Sequence, residues 1–482
     1  MLASINASRA SAWSFAARLV AQLSSLLLLL VAARSLTPVD LGIFALASAT
    51  AMLISRLAEA GWTQYVMAWE DLGRPPATVF WTGLGVALLG GLAGVAGGMS
   101  FVWLGGNGPY GELLAGLSLL IPLGAVTALQ YGILVREGRI GTIAAITIAS
   151  DALALVAGIG SLLAGGGVTA LLMSRAVMNV VALLGSLAAA AWLPRFSFNG
   201  RTSAGALRFV ARLTATQVIE FVRSYGAEFV LALFLGTAEV AIYRLSSRVV
   251  GAIGELFSEP LRMLSWASLS RSRAGAETAG WRPRLEGERI VFGTALLALP
   301  AFIGLALVSG SLVQVLLGDG WTAAAPVIAI LAIGRLLSLP AVLVEPMLVL
   351  VGQVRLLPVI TTLASTIGLI LLLVLAPYGP VGAASAQLLS AVATLPIVIW
   401  AQTHYAEVSW QRIAQDLKAA ALAVTALAIG VVAVSWKADQ WHLSSWLSLT
   451  ACIVVGGAIY GSLIAMSYRT FCRMLMGALL RP

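Results

Sequence analysis

The 482 residues are 60% hydrophobic and 10% charged, with a mean hydropathy of +0.97. Soluble domains are roughly 45–50% apolar and 25% charged, so this composition reads as a polytopic membrane protein with no polar stretch long enough to build a separate soluble domain. The formal net charge of +9 is not clustered on a polar domain, and most of the cations sit in alternate loops between apolar runs, which argues against a nucleic-acid-binding domain and instead reports topology.

The first apolar run follows Arg9, is interrupted by Arg18, Gln22 and Ser24-Ser25, and closes at Arg34 without a convincing cleavage site. It reads as a retained span rather than a signal peptide. Runs long enough to cross roughly 30 Å of hydrocarbon fall near 11–33, 39–60, 77–98, 112–135, 142–164, 169–193, 209–233, 238–262, 290–317, 325–350, 355–376, 380–401, 415–436 and 444–467. Gly- and Pro-rich turns separate many of them, for example Gly105-Gly106-Asn107-Gly108-Pro109, Gly165-Gly166-Gly167 and Ala376-Pro377-Tyr378-Gly379-Pro380. The longest polar segments, Pro194 to Arg208 and Ser268 to Arg289, are short enough to be loops.

Loop charge sets the expected orientation. Arg136 and Arg139 follow span four, Arg195, Arg201 and Arg208 follow span six, and Arg271, Arg273, Arg282, Arg284 and Arg289 follow span eight. Arg412 and Lys418 follow span twelve, and Arg469, Arg473 and Arg481 form the tail. Only Arg34 and Lys437 stand out on the opposite side, and loop 63–76, with Glu70, Asp71 and Arg74, is a weak vote. Both termini are therefore expected to be cytoplasmic.

Two echoes suggest duplication. Asp40-Leu41-Gly42-Ile43-Phe44-Ala45-Leu46 reappears 199 residues later as Glu239-Val240-Ala241-Ile242-Tyr243-Arg244-Leu245, and Gly138, Ile146-Thr147 and Gly165 reappear 214 residues later as Gly352, Ile360-Thr361 and Gly379. These shifts map spans one, two, five and six onto seven, eight, eleven and twelve. An even number of spans per unit implies a parallel repeat, an arrangement common in transporters. The expected fold is all-α, with about fourteen transmembrane helices in two six-helix bundles, 1–200 and 201–405. Residues 406–482 add two helices and a cytoplasmic tail.

Ionisable groups at membrane depth are costly unless they face protein or water, which makes them functional candidates. Ser11, Ser14, Arg18, Gln22 and Ser25 share one face of span one, and Ser48, Ser55, Arg56 and Glu59 nearly share one on span two. Arg212, Thr216, Glu220 and Arg223 form a stripe on span seven, flanked by Gln217, Ser224 and Glu228; Arg244, Arg248, Glu255, Glu259 and Arg262 run along span eight. These stripes fall on two spans and their repeat equivalents, which suggests one shared cavity. Arg18, Gln22, Arg56, Glu220, Arg223, Arg244, Arg248 and Glu255 are the candidate substrate-binding residues. Guanidinium groups suit a phosphate-bearing cargo, and the carboxylates among them would limit self-repulsion in the empty site. Arg212, Glu259 and Arg262 lie near span ends, where snorkelling accounts for them. Glu59 either pairs with Arg56 one turn away or binds a coupling proton or cation, and Asp151 is the second ion-coupling candidate. Asp151, Arg335 and Glu345 also fit buried pairs that hold the bundle together, and Arg175 and Asn179 are isolated polar groups on span six.

The stretch Arg34-Ser35-Leu36-Thr37-Pro38-Val39-Asp40-Leu41-Gly42-Ile43-Phe44-Ala45-Leu46 resembles the loop between spans one and two of Wzx-type polysaccharide flippases in the multidrug/oligosaccharidyl-lipid/polysaccharide exporter superfamily. Tyr378-Gly379-Pro380-Val381-Gly382-Ala383-Ala384-Ser385-Ala386 resembles that family's entry to span twelve. The resemblance implies two six-helix bundles forming a V and alternating access across a bacterial inner membrane. It implies transfer of an undecaprenyl-diphosphate-linked oligosaccharide to the periplasmic leaflet, with membrane lipids, a polysaccharide polymerase and a chain-length regulator as expected partners. Arg18, Arg56, Arg223, Arg244 and Arg248 occupy helices comparable to those whose arginines are thought to engage cargo in relatives. Lipid II flippases and drug exporters share this fold and stay open as alternatives.

No Walker lysine follows a glycine loop, and the only lysines are Lys418 and Lys437, so nucleotide hydrolysis is not expected. Cys452 and Cys472 are about 30 Å apart if helical, too far to bridge. His404 and His442 lie on different spans, and no metal-ligand spacing occurs. Neither catalytic residues nor a cofactor are expected. A polysaccharide polymerase or ligase is the rival from another class, and it would be expected to carry a large charged external loop. The longest external loop expected here, around 99–111, is nearly uncharged.

Overall fold

A computed structural model describes the chain apart from residues 1, 60, 70–73, 107, 275–283, 442 and 469–482. The side chains of 2–12, 14–16, 215, 216, 219, 220, 223, 259, 260, 271–274, 284, 285 and 439 are also outside the description. Among the residues discussed above, Arg9, Ser11, Ser14, Glu70, Asp71, Thr216, Glu220, Arg223 and Glu259 therefore lie outside the described side chains. The same holds for Arg271, Arg273, Arg282, Arg284, His442, Arg469, Cys472, Arg473 and Arg481.

The described secondary structure is helical. In chain order the helices are α1 Leu2–Ser35, α2 Pro38–Glu59, α3 Trp62–Met67, α4 Ala77–Trp103, α5 Gly108–Ser118, α6 Ile121–Arg136, α7 Ile140–Leu163, α8 Thr169–Ala190 and α9 Gly200–Phe234. They continue as α10 Thr237–Ala274, α11 Arg284–Leu316, α12 Ala324–Ser338, α13 Val344–Val351, α14 Leu356–Leu375, α15 Gly379–Ala406, α16 Trp410–Asp416, α17 Lys418–Gln440 and α18 Ser445–Ser467. Among the described residues, eleven helical stretches are long and apolar enough to cross a membrane, and the chain is a multi-pass membrane protein. One stretch, Leu356–Ala406 with 51 residues, contains both α14 and α15. Helices α9 and α10 are not among these stretches, yet they are 35 and 38 residues long. At 1.5 Å per residue each exceeds the roughly 30 Å of a hydrocarbon core.

Local chemistry explains several boundaries. Thr37 and Asp40 form a reciprocal cap: the Thr37 amide and hydroxyl donate to Asp40 Oδ2 at 3.2 and 2.7 Å, and the Asp40 amide donates to Thr37 Oγ1 at 3.2 Å. With Pro38 as the first residue of α2, this satisfies donors that a helix start leaves unpaired. A Cβ on Gly42 would run into the Thr237 carbonyl oxygen, so the glycine permits close approach of two backbones. The motif around Thr37 to Gly42 is thus accounted for by a helix start and its packing. The polar segment Pro194 to Arg208, expected as a loop, is helical from Gly200, because Asn199 Oδ1 accepts from the Arg201 and Thr202 amides at 3.0 and 3.4 Å. The segment Ser268 to Arg289 is likewise helical through Ala274 and again from Arg284. The expected loop 99–111 shrinks, since α4 runs to Trp103 and α5 begins at Gly108.

Two expected spans are broken. Span four divides into α5 and α6 around Leu119-Leu120, where Pro122 has no amide hydrogen to offer the Ser118 carbonyl. Span ten divides into α12 and α13 around the 3-10 turn Leu339–Leu343, which contains Pro340. There Gln402 Nε2 donates to the Pro340 carbonyl at 2.8 Å, pairing a backbone acceptor that the irregular turn would otherwise leave bare.

The helices fall into two compact units, Met1–Ala241 and Ile242–Pro482. In the first, α1 and α8 pack along α7, α2 packs on α4, α5 and α9, and α3 packs on α6. Helix α4 meets α5 through a glycine-rich face: Ala87, Gly91, Gly94 and Gly98 are buried, and a Cβ on Gly91 would lie 2.9 Å from the Ser118 carbonyl oxygen. Small residues at such contacts let helices approach closely in lipid. The segments following α3, α6 and α8 meet at one end of this unit. Arg74 donates to the Ala190 and Ala191 carbonyls at 2.9 and 3.2 Å, Arg139 donates to Ala189 at 2.8 Å, and Glu137 bridges both guanidinium groups at 3.5 and 3.1 Å. The two arginines thereby cap the carbonyl end of α8, where helix polarity favours cations.

In the second unit α11 packs on α12, α12 on α15, α14 along α15, and the α17–α18 pair on α11. Leu296, Val308 and Val315 of α11 share a core with Ala423, Leu427, Leu449 and Tyr460. Helix α14 buries no residue fully, as expected of a lipid-facing helix. Cys452 is buried, with its thiol 3.8 Å from the Val431 carbonyl oxygen.

Candidate functional site

On α10, Arg244 and Arg248 are half-buried, one turn apart on one helical face. Glu255, two turns further on, meets a residue that the sequence reading placed outside the site: Arg335 Nη2 lies 3.5 Å from Glu255 Oε1 and 3.4 Å from Ser258 Oγ. Arg335 sits in the last turn of α12, just before the break at Leu339–Leu343. Gly254 makes this crossing possible, since a Cβ there would lie 2.7 Å from Arg335 Nε. Nothing in hydropathy or helical phase links positions 80 residues apart, but Pro340 in the apolar run was a legible sign that span ten would be interrupted.

On α2, Arg56 is exposed and its Nη1 donates to Gln217 Oε1 of α9 at 3.2 Å. This joins two of the four polar stripes within the first unit. Glu59 lies one turn on, half-buried, with its carboxylate over Gly124 in the first turn of α6. The Ser55 hydroxyl bonds to it and the Arg56 charge acts on it. A side chain at Gly124 would occupy its place, because a Cβ there would lie 2.8 Å from Glu59 Oε1. The carboxylate thus packs against the side of the first turn of α6.

The remaining candidates are more dispersed. Arg18 is exposed and Gln22 half-buried on α1. Glu220 and Arg223 belong to α9, and their side chains lie outside the described residues. Asp151, half-buried on α7, interacts with the Arg175 charge of α8, beside a hydrogen bond between Tyr131 of α6 and Thr147 of α7. Asn179 Nδ2 is held by the Arg175 carbonyl at 2.9 Å. These contacts join α6, α7 and α8 through polar groups.

Residues 31–326 match a family model described as polysaccharide biosynthesis protein. The chain is 25% identical over 324 residues to the succinoglycan biosynthesis transport protein ExoT of Rhizobium meliloti (strain 1021), a match spanning 67% of this chain and 65% of that relative. Among solved structures it is similar to a lipid II flippase MurJ in an inward closed conformation, with a TM-score of 0.73 and 13% identity over 96% of this chain and 99% of that one. It is also similar to an inward-facing multidrug resistance MATE family transporter of the MOP superfamily, with a TM-score of 0.51 and 18% identity over 81% and 94% of the two chains. At these identities the structural likeness is one of fold. The relatives are transport proteins and flippases, and they agree with the resemblance to Wzx-type flippases carried by the two sequence motifs. With more than half of its length matched by the family model, the chain belongs to the polysaccharide biosynthesis protein family.

Proposed function

We propose that this protein flips a polyprenyl-diphosphate-linked oligosaccharide from the cytoplasmic to the periplasmic leaflet of a bacterial inner membrane, for surface polysaccharide assembly. The observation that carries this reading is the pair of half-buried arginines one turn apart on α10, Arg244 and Arg248, in a chain of this family. Guanidinium groups retain their charge and bind phosphate through paired donors. Arg18, Gln22, Arg56, Glu220 and Arg223 are proposed to face the same cargo, with Glu255 balancing charge when it is absent. In this reading the chain crosses the membrane fourteen times: α9 and α10 are added to the apolar spans, and α14 and α15 count separately. The two six-helix repeats and the C-terminal pair keep the limits 1–200, 201–405 and 406–482, both termini are cytoplasmic, and alternating access moves the cargo. Glu59 and Asp151 are proposed to couple transport to a proton or cation. A polysaccharide polymerase and a chain-length regulator are proposed as protein partners.

The test is reconstitution in liposomes with fluorescent undecaprenyl-diphosphate oligosaccharide, followed by measurement of its accessibility to an external glycosidase over time. Protein-dependent exposure of the inner-leaflet pool supports the reading. Flipping of lipid II or export of organic cations, without transport of this substrate, would replace it by one of the alternatives of the same fold.

A further inference from the structure

Resting on that reading, we propose that Arg335 is an additional phosphate-binding group of the cargo site, laid across α10 by Gly254 and held in readiness by Glu255. A guanidinium presents Nε and Nη2 along one edge, spaced to meet two oxygens of a carboxylate or phosphate at once. Here Nη2 reaches Glu255 Oε1 and Ser258 Oγ only at 3.5 and 3.4 Å, while Nε is buried without a hydrogen-bond partner among the described residues. One half of the edge is unused and the other half loosely used. A pair serving only to join α10 to α12 would gain from both donors meeting the carboxylate, because the unmatched buried Nε–H carries its full desolvation cost.

The surroundings favour an exchangeable partner. The Arg335 and Glu255 side chains retain 38% and 40% of their exposure, so an oxyanion can reach the pair without unpacking the unit. Glu255 also follows Arg248 and Arg244 along α10 at near-integral numbers of helical turns. Arg335 therefore adds a cation from a second helix to a row that α10 already presents. Glu255 stands where a phosphate oxygen would stand, and cargo would displace it from Nη2 and draw Nε out of its buried position beside Gly254 onto a second oxygen. The residues and their spacing are those of a site in which a resident carboxylate is exchanged for the ligand's anion.

The experiment uses the full-length protein in nanodiscs, with binding of undecaprenyl diphosphate measured beside thermal unfolding. Arg335→Ala should weaken binding by about tenfold or more, the scale of one charge-assisted hydrogen bond, and Arg335→Lys should recover only part of it. Glu255→Gln should tighten binding severalfold by removing the competing anion. The exchange Glu255→Arg with Arg335→Glu should restore thermal stability but not affinity. Restoration of both by the exchange, or weaker binding in Glu255→Gln, would show the pair to be a structural brace and overturn the proposal. Unchanged affinity in Arg335→Ala would overturn it while leaving the proposed function intact. If the wild type bound no undecaprenyl diphosphate, the proposed function would fall and this assignment with it.

Discussion

Tyr460→Phe tests whether packing of the C-terminal helix pair was built around a proline in α11. Pro300 lies inside α11, and without an amide hydrogen it cannot bond the carbonyl four residues earlier, that of Leu296. The Tyr460 hydroxyl of α18 donates to this same oxygen at 2.6 Å, in a buried position. Removing the hydroxyl leaves a buried acceptor unpaired, which costs about 1–3 kcal/mol in proteins generally, while interhelical hydrogen bonds within membranes average about 0.6 kcal/mol. A loss of about 1 kcal/mol is expected, measurable as a shift in reversible unfolding by SDS in mixed micelles. Pro300→Ala restores an amide donor to Leu296, so in that background Tyr460→Phe should cost much less. The double-mutant cycle isolates this coupling. Tyr378→Phe, at a ring that is 77% exposed, serves as the control and should be silent. Equal costs for Tyr460→Phe with and without Pro300 would refute the reasoning, since the hydroxyl would then be working through some other partner.

Other outcomes follow from the same structure. Gly42→Ala should destabilise the protein by about 1–3 kcal/mol through overpacking against the Thr237 carbonyl, whereas Gly85→Ala, with open space around its Cβ, should leave SDS unfolding unchanged. Thr37→Ala should cost about 1 kcal/mol, and adding Asp40→Ala should cost less than the sum of the single changes because the two side chains cap each other. Replacing Arg18, Arg223 or Arg248 by Ala should abolish glycan export at unchanged protein levels, with partial rescue by Lys; normal surface polysaccharide in all three would count against an arginine-dependent site. Glu59→Gln and Asp151→Asn should alter the pH dependence of flipping, and identical profiles would remove both from the coupling scheme.

Hydropathy made most helices readable, because a membrane demands long apolar runs whatever they pack against. It misplaced the ends of α9, α10 and α11, where charged residues extend the helix beyond the apolar run and caps such as Asn199 decide the start. The breaks at 119–120 and 339–343 were signalled by Pro122 and Pro340, yet the uninterrupted apolar character around them concealed the signs. Helical phase brought Arg244, Arg248 and Glu255 to one face of a single helix, as period alone can. It left Arg335 outside the candidate site, since its tie to Glu255 depends on a glycine on α10 admitting a guanidinium from α12.

The sequence by itself determined that the chain lives in a membrane, that it is helical, and that several helices carry arginines no lipid would tolerate. Those conclusions rest on solvation, which each segment expresses without its neighbours. Only the tertiary structure decided that Tyr460 serves the carbonyl freed by Pro300, that Glu59 lies over Gly124, and that Glu255 is shared with Arg335. Each of these is a short-range polar contact between distant segments, fixed by how closely two helices pack, and linear order carries no measure of that distance.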